Sequence, residues 1–153
     1  MPGRFEIARE HGHDSFSDSF LTGNSIIEEA IARYHRESDR DMLQAVVNAI
    51  LCRMQANGHF LIPAAVQEDG RSFDLHHIRA NDGSMWLAAF TSPEEYEKGQ
   101  KTAALSYFID AFLALCADMP EAGIVVNPWG QPFLLTKDLI RLLVQASGDG
   151  SAQ

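Results

Sequence analysis

Six histidines, two cysteines and the acidic run Glu94, Glu95 and Glu97 are the residues in this chain whose types could bind a metal, attack an electrophile or move a proton. Their spacing decides what each can do. His11 and His13 flank a glycine and are followed by Asp14, a ligand-like set. No second cluster stands at a matching distance, so a solvated polar arm is expected there. His76 and His77 are adjacent, and on a strand neighbouring side chains point to opposite faces, so the two cannot close on one ion. Cys52 and Cys116 lie outside any Cys-x-x-Cys or paired Cys/His spacing. Both are expected to be reduced, buried thiols serving as small apolar side chains. The three glutamates open a helix, where they complement its dipole, whereas acid–base catalysis needs a buried pair with separated pKa values. The chain has no Gly-x-Ser-x-Gly elbow, phosphate-binding loop, His-Glu-x-x-His or dinucleotide fingerprint. No catalytic residue, metal or cofactor is assigned, and the reading leans away from an enzyme.

A different kind of site is offered by IVVNPWGQPFLL, Ile124–Leu135, an apolar stretch without a charge and with a break at its centre. Asn, Pro and Gly at the first, second and fourth places of Asn127–Gly130 suit a type I turn. Asn127 is expected to bond back to the turn backbone, while Pro128 fixes φ and Gly130 relaxes the exit. Trp129 is not required by the turn. Its ring either folds over the apolar strands beneath, the reading preferred here, or stands at a surface tip as an anchor for a protein partner.

The elements that would carry these residues follow from periodicity. Residues 1–23 read as an irregular or flexible arm. Ser25 and Glu28 form a capping box before a helix with Ile26, Ile27, Ala30, Ile31 and Tyr34 on one face. A second helix presents Met42, Val46, Ala49, Ile50 and Met54 and stops at Asn57-Gly58, so the pair should form a helical hairpin. Beyond it the pattern becomes strand-like. Pro63 interrupts the first strand and suggests an edge or a bulge. RSFDLHHIRA and SMWLAAF flank an Asp-Gly hairpin turn. Ser92 and Pro93 then open a short helix. A strand through Ala103–Leu105 should turn helical near Tyr107. The last helix starts at the cap Thr136, packs through Leu139, Leu142, Leu143 and Ala146, and stops at Gly148.

The chain has 153 residues, which fits one domain, here 24–147 with a flexible tail at 148–153. The expected fold class is α+β: an N-terminal helical hairpin and a mixed sheet of about five or six strands with helices packed on it. Twelve basic and twenty-one acidic residues give a net charge of -9, which works against nucleic-acid phosphates and anionic lipid. With no signal-peptide pattern and no long apolar run, a cytoplasmic protein is expected, without membrane insertion.

Three blocks in order carry a family resemblance: FLIPAAV, WLAAFTSPEEYEKG and GIVVNPWGQPFLLTKDLI. Together they resemble the N-terminal domain of the SseB family, named for enhanced serine sensitivity. Leu61–Pro63, Phe90–Ser92 and Gly123–Pro128 fill the family's pattern, and the likeness spans about residues 25–146. The resemblance implies a compact bacterial domain with no transferable catalytic residue or cofactor. It also implies that the C-terminal domain of some members is missing here. The name is shared with a type III secretion translocator, so a secretion label travels by name. The expected function is a non-catalytic protein-binding or accessory module whose contact surface comprises Phe90, Thr91, Ser92, Asn127, Pro128, Trp129 and Gly130. Self-association is also open, through a strand edge or the N-terminal helices. The alternative is a small-molecule binder or enzyme with a pocket near His76, His77 and the Phe90–Ser92 turn.

Overall fold

The computed structural model describes residues 5–7, 19–66, 73–75, 77–99 and 104–151. A strand, β1 (Phe5–Ile7), and a one-turn helix, α1 (Ser19–Thr22), lie within the stretch expected to be an irregular arm. Helices α2 (Ser25–Arg36) and α3 (Arg40–Gln55) pack on each other as the apolar spacing requires. Asp39 caps α3, accepting from the Met42 N–H at 2.9 Å. At its far end Asn57 takes φ 62° and the Gly58 N–H closes on the Arg53 carbonyl at 2.8 Å. The asparagine thus occupies the left-handed position of the stop.

The remaining elements are β2 (His59–Val66), β3 (Phe73–Leu75), β4 (His77–Arg79), β5 (Met85–Ala89), α4 (Pro93–Glu97), β6 (Ala104–Phe108), α5 (Ile109–Ala117), β7 (Gly123–Val126), β8 (Phe133–Thr136) and α6 (Lys137–Ser151). The strands form two four-stranded sheets, ordered β1-β6-β2-β3 and β4-β5-β7-β8. Only β5 and β7 run parallel, joined through α4, β6 and α5. The fold is α+β with mixed pairing and helices packed on the sheets, as expected. More strands are present than foreseen, because β1 was not anticipated and the segment around His77 is divided between the two sheets as β3 and β4. The sheets meet where Leu61 and Phe90 exchange backbone bonds, each 2.9 Å long.

Three boundaries depart from the sequence reading for physical reasons. Pro63 lies in an inner strand, opposite Ala104, at the point where β2 stops pairing with β6 and begins pairing with β3 at Ala64. The missing N–H falls at that change of partner. β6 stays extended to Phe108 because β1 and β2 pair with it from both sides, and a two-sided ladder overrides the helical pattern after Tyr107. α6 runs through Gly148 to Ser151. Its start matches the expectation, with the Leu139 N–H donating to Thr136 Oγ1 at 3.4 Å.

Cross-strand register sorts the second sheet into two faces. Leu87, Ala89, Ile124, Val126, Phe133 and Leu135 point into the main core, beneath Ile31, Ile50, Phe112, Ile140 and Leu143. The other face carries Ala88, Val125 and Leu134 in one row and Trp86, Gly123 and Thr136 in the next. Ala88 belongs to a smaller core with Leu21, Leu61, Phe90, Tyr96 and Ala104. Trp86 is fixed from the Asp82-Gly83 turn: its Nε1 donates to Ser84 Oγ at 2.9 Å. Ser84 in turn donates its N–H and hydroxyl to Asp82 Oδ1, and these bonds hold the Asp82 carboxyl below the usual carboxylate range. The indole lies over Gly123, where a Cβ would come 2.8 Å from the ring and overlap the Leu135 carbonyl oxygen. Among the described residues no helix is long and apolar enough to cross a membrane.

The cysteines divide. Cys116 is buried in α5, and burial, reinforced by the Glu121 charge, pushes its thiol up to about 12. Cys52 is exposed on the outer side of α3, which corrects the expectation that both are buried. Because the thiolate is the nucleophile, native protein at mildly alkaline pH should take up one equivalent of a thiol reagent, at Cys52. Mass spectrometry of the labelled peptides checks this; labelling of Cys116 without denaturant would show that α5 opens.

Candidate functional site

The Phe90–Ser92 and Asn127–Gly130 turns leave the ends of β5 and β7, which lie side by side. The Asn127 N–H donates to the Ala89 carbonyl at 2.8 Å and keeps the two turns level. Asn127 has φ 56°, a left-handed conformation that asparagine tolerates better than most residues. The Gly130 N–H closes the turn on the Asn127 carbonyl at 3.2 Å.

The side chain of Asn127 does not bond back to its own turn. Its Oδ1 accepts from the Thr91 N–H at 3.0 Å, and its Nδ2 donates to Thr91 Oγ1 at 3.0 Å. The Thr91 hydroxyl donates to Glu28 Oε2 at 2.5 Å. That bond draws Glu28 into the tertiary structure, and the expected capping box is not formed. Asn24 is the N-cap residue of α2 and makes no side-chain cap bond. Instead its buried Nδ2 donates to the carbonyls of His59, at 2.6 Å, and Thr91, at 3.0 Å, and its Oδ1 accepts from Arg53 Nε at 2.9 Å. The Arg53 guanidinium fits against Gly23 and Gly58, where a Cβ at either position would collide with it. One polar frame therefore ties the start of α2, the end of α3, the start of β2 and both turns.

The seven candidate contact residues fall into two groups. Phe90, Thr91 and Asn127 are buried, with Phe90 edge-on to Tyr96 at 5.6 Å. They position the turns from inside. Ser92 and Pro128 are half-buried, and Ser92 caps α4 by accepting from the Glu95 N–H at 3.3 Å. Gly130 and Trp129 face outward. A Cβ on Gly130 would stand 2.5 Å from Glu95 Oε1, so a larger residue there would displace the Glu95–Lys98 pair from beneath the turn. The Trp129 ring is 49% exposed and does not fold over the strands. One side of it rests on Gly99, where a Cβ would overlap Cδ1 and Nε1. Because Tyr96 packs with Ala88 and Phe90, α4 sits over Ala88 on the sheet face that also bears Val125 and Leu134. Trp129, resting just beyond α4, stands on that same side, as does Leu134, which is 53% exposed.

The histidines lie elsewhere. His59 is buried with Nδ1 2.8 Å from Ser106 Oγ, and His77 Nε2 lies 2.5 Å from Glu121 Oε2. His76 is outside the described residues, as are His11, His13 and Asp14. A cleft of about 280 Å³ opens between Leu21, Ser25 and Glu28 on one side and Ser92, Pro93 and Glu94 on the other. Of the residues foreseen around a pocket, Ser92 lines it and His77 does not. Among the described residues no group of three or more His, Cys, Asp or Glu side chains is placed to hold a metal ion.

A family model described as SseB protein N-terminal domain matches residues 27–142. The chain belongs to the SseB family. The match to the SseB domain begins inside α2 and ends inside α6, so it takes in both turns together with Glu28, Arg53, Thr91 and Asn127. Asn24, which completes the frame of this SseB domain, lies just ahead of the matched span. No curated protein and no solved structure matches the chain.

Proposed function

We propose that this SseB domain is a non-catalytic protein-binding or accessory module, with Trp129 as its anchor and Pro128, Gly130 and Ser92 around it. The observation that carries the reading is the half-exposed indole at the tip of a turn whose base is locked by Asn127 and Thr91. An aromatic side chain with few rotatable bonds, presented on a fixed turn, loses little conformational entropy when a partner covers it. Tryptophan is also enriched among residues that dominate interface energies. Leu134, on the same side, is a second exposed apolar residue.

Trp129→Ala tests this directly. Half of the ring's surface is open to solvent at the tip of a turn, so its loss should change folding stability by no more than about 1 kcal/mol. Partner capture from native lysate should fall roughly thirtyfold in affinity, the level of a hot spot worth about 2 kcal/mol. A large drop in the thermal midpoint with unchanged capture would make Trp129 a packing residue and remove the proposal's support.

A further inference from the structure

We infer that the free edge of β8 pairs with β8 of a second copy of this chain, in one antiparallel register centred on Leu135. The inference uses backbone groups and stands apart from the role given to Trp129.

The orientation of the edge follows from one bond. The Lys137 N–H donates to the Ala122 carbonyl at 3.1 Å, and these residues stand opposite each other in the continuation of the β7–β8 register. In an antiparallel ladder, opposed pairs alternate between bonded and non-bonded. Leu135 and Phe133 therefore point their N–H and C=O groups toward β7. Those of Leu134 and Thr136 point away from it. The Pro132 carbonyl should also point outward on this pattern, and His35 Nε2 meets it there at 2.7 Å. Among the described strands none lies on this side of β8.

The open stretch is short and bounded. Pro132 has no N–H and its carbonyl is taken by His35; the Lys137 N–H is turned inward. Two residues spaced two apart remain, and a two-fold axis through Leu135 sets Leu134 of each copy opposite Thr136 of the other. Each such pair exchanges two bonds, so four backbone bonds form and no outward group on either edge is left over. Flanks of this kind favour a closed pair over open-ended strand addition.

Charge points to the same occupant. Tyr34 packs edge-on to Phe133 at 5.7 Å, which places the last turn of α2, with Arg33, His35 and Arg36, at the first end of β8. The first turn of α6 lies at the other end, where Lys137 is engaged by the Met119 carbonyl and Asp138 is left exposed. Antiparallel self-pairing sets residue 132 opposite residue 138 and brings each basic end to the acidic residue of the second copy. This local attraction works against the net charge of -9 that each chain carries.

Sedimentation velocity across a concentration series, with hydrogen exchange of the edge amides, tests the pairing. The native chain should reach twice its 16.9 kDa mass, and exchange at Leu134 and Thr136 should slow as the dimer forms. Leu134→Pro removes two of the four bonds without touching the β7 ladder, and should raise the dimer dissociation constant at least about tenfold. Should that variant misfold, Leu134→Lys, which sets two like charges on the shared edge, should weaken the dimer with a native circular dichroism spectrum. A native chain that stays monomeric at every concentration would overturn the inference while leaving capture through Trp129 untouched. So would a dimer indifferent to both substitutions, or one whose Leu134 and Thr136 amides exchange freely.

Discussion

Asn24→Ala is expected to lower folding stability by about 3–4 kcal/mol, the largest effect of any substitution considered for this domain. The asparagine is fully buried and uses three of its bonding positions, two as donor to the His59 and Thr91 carbonyls and one as acceptor from Arg53. Alanine removes the Nδ2 donor from two inward-facing carbonyls, each loss costing about 1–3 kcal/mol. Arg53 contributes less to the loss, because its half-buried guanidinium can turn to water. The lost N-cap adds nothing, since the side chain makes no cap bond. For a chain of this size the thermal midpoint should fall by roughly 10 °C. Urea denaturation at unchanged m-value is the measurement. A loss below about 1 kcal/mol would mean that water replaces the asparagine and that the frame contributes little.

Asn127→Ala is the second large effect, about 3 kcal/mol. It removes the acceptor of the buried Thr91 N–H and the donor to Thr91 Oγ1, and it forces alanine into φ 56°. A pair of variants separates the two causes. Asn127→Gly loses the same side-chain bonds but takes a left-handed conformation freely, so it should be milder than Asn127→Ala by about 1 kcal/mol. Equal effects would show that φ at this position relaxes. Both variants should also weaken partner capture, since the base of the Trp129 turn loosens. In that they differ from Trp129→Ala, where capture falls and stability holds.

These two asparagines show where sequence reading stopped. Each precedes a helix or opens a turn, and asparagine at such places reads as a local cap or an Asx turn. Glu28 was assigned to a capping box on the same logic. In the fold all three side chains point across the chain, to partners 29 to 67 residues away for Asn24, 63 for Glu28 and 36 for Asn127. Nothing in a linear pattern marks which polar side chain will be buried, because burial is decided by what packs above it. Arg53 was missed for the same reason: on an amphipathic helix an arginine reads as solvated. The exposed Cys52 is the converse case, an apolar-looking residue that stands two positions past Ile50, about 200° around α3 from it and away from the buried face.

By itself the sequence determined what short-range chemistry controls. It placed α2 and α3, the Asp82-Gly83 hairpin, the Ser92 and Thr136 caps, the Asn127–Gly130 turn and the order of blocks that marks the SseB family. Each depends on dihedral preferences, capping bonds or apolar periods spanning a few residues. Only the tertiary structure decided the rest: the parallel β5–β7 pairing, the division of the segment around His77 between two sheets, the burial of Phe90, Thr91 and Asn127, and the exposure of Trp129. Those outcomes depend on which surfaces meet across long loops, and neither a hydrogen bond nor a buried face has a preferred partner until the sheets are assembled.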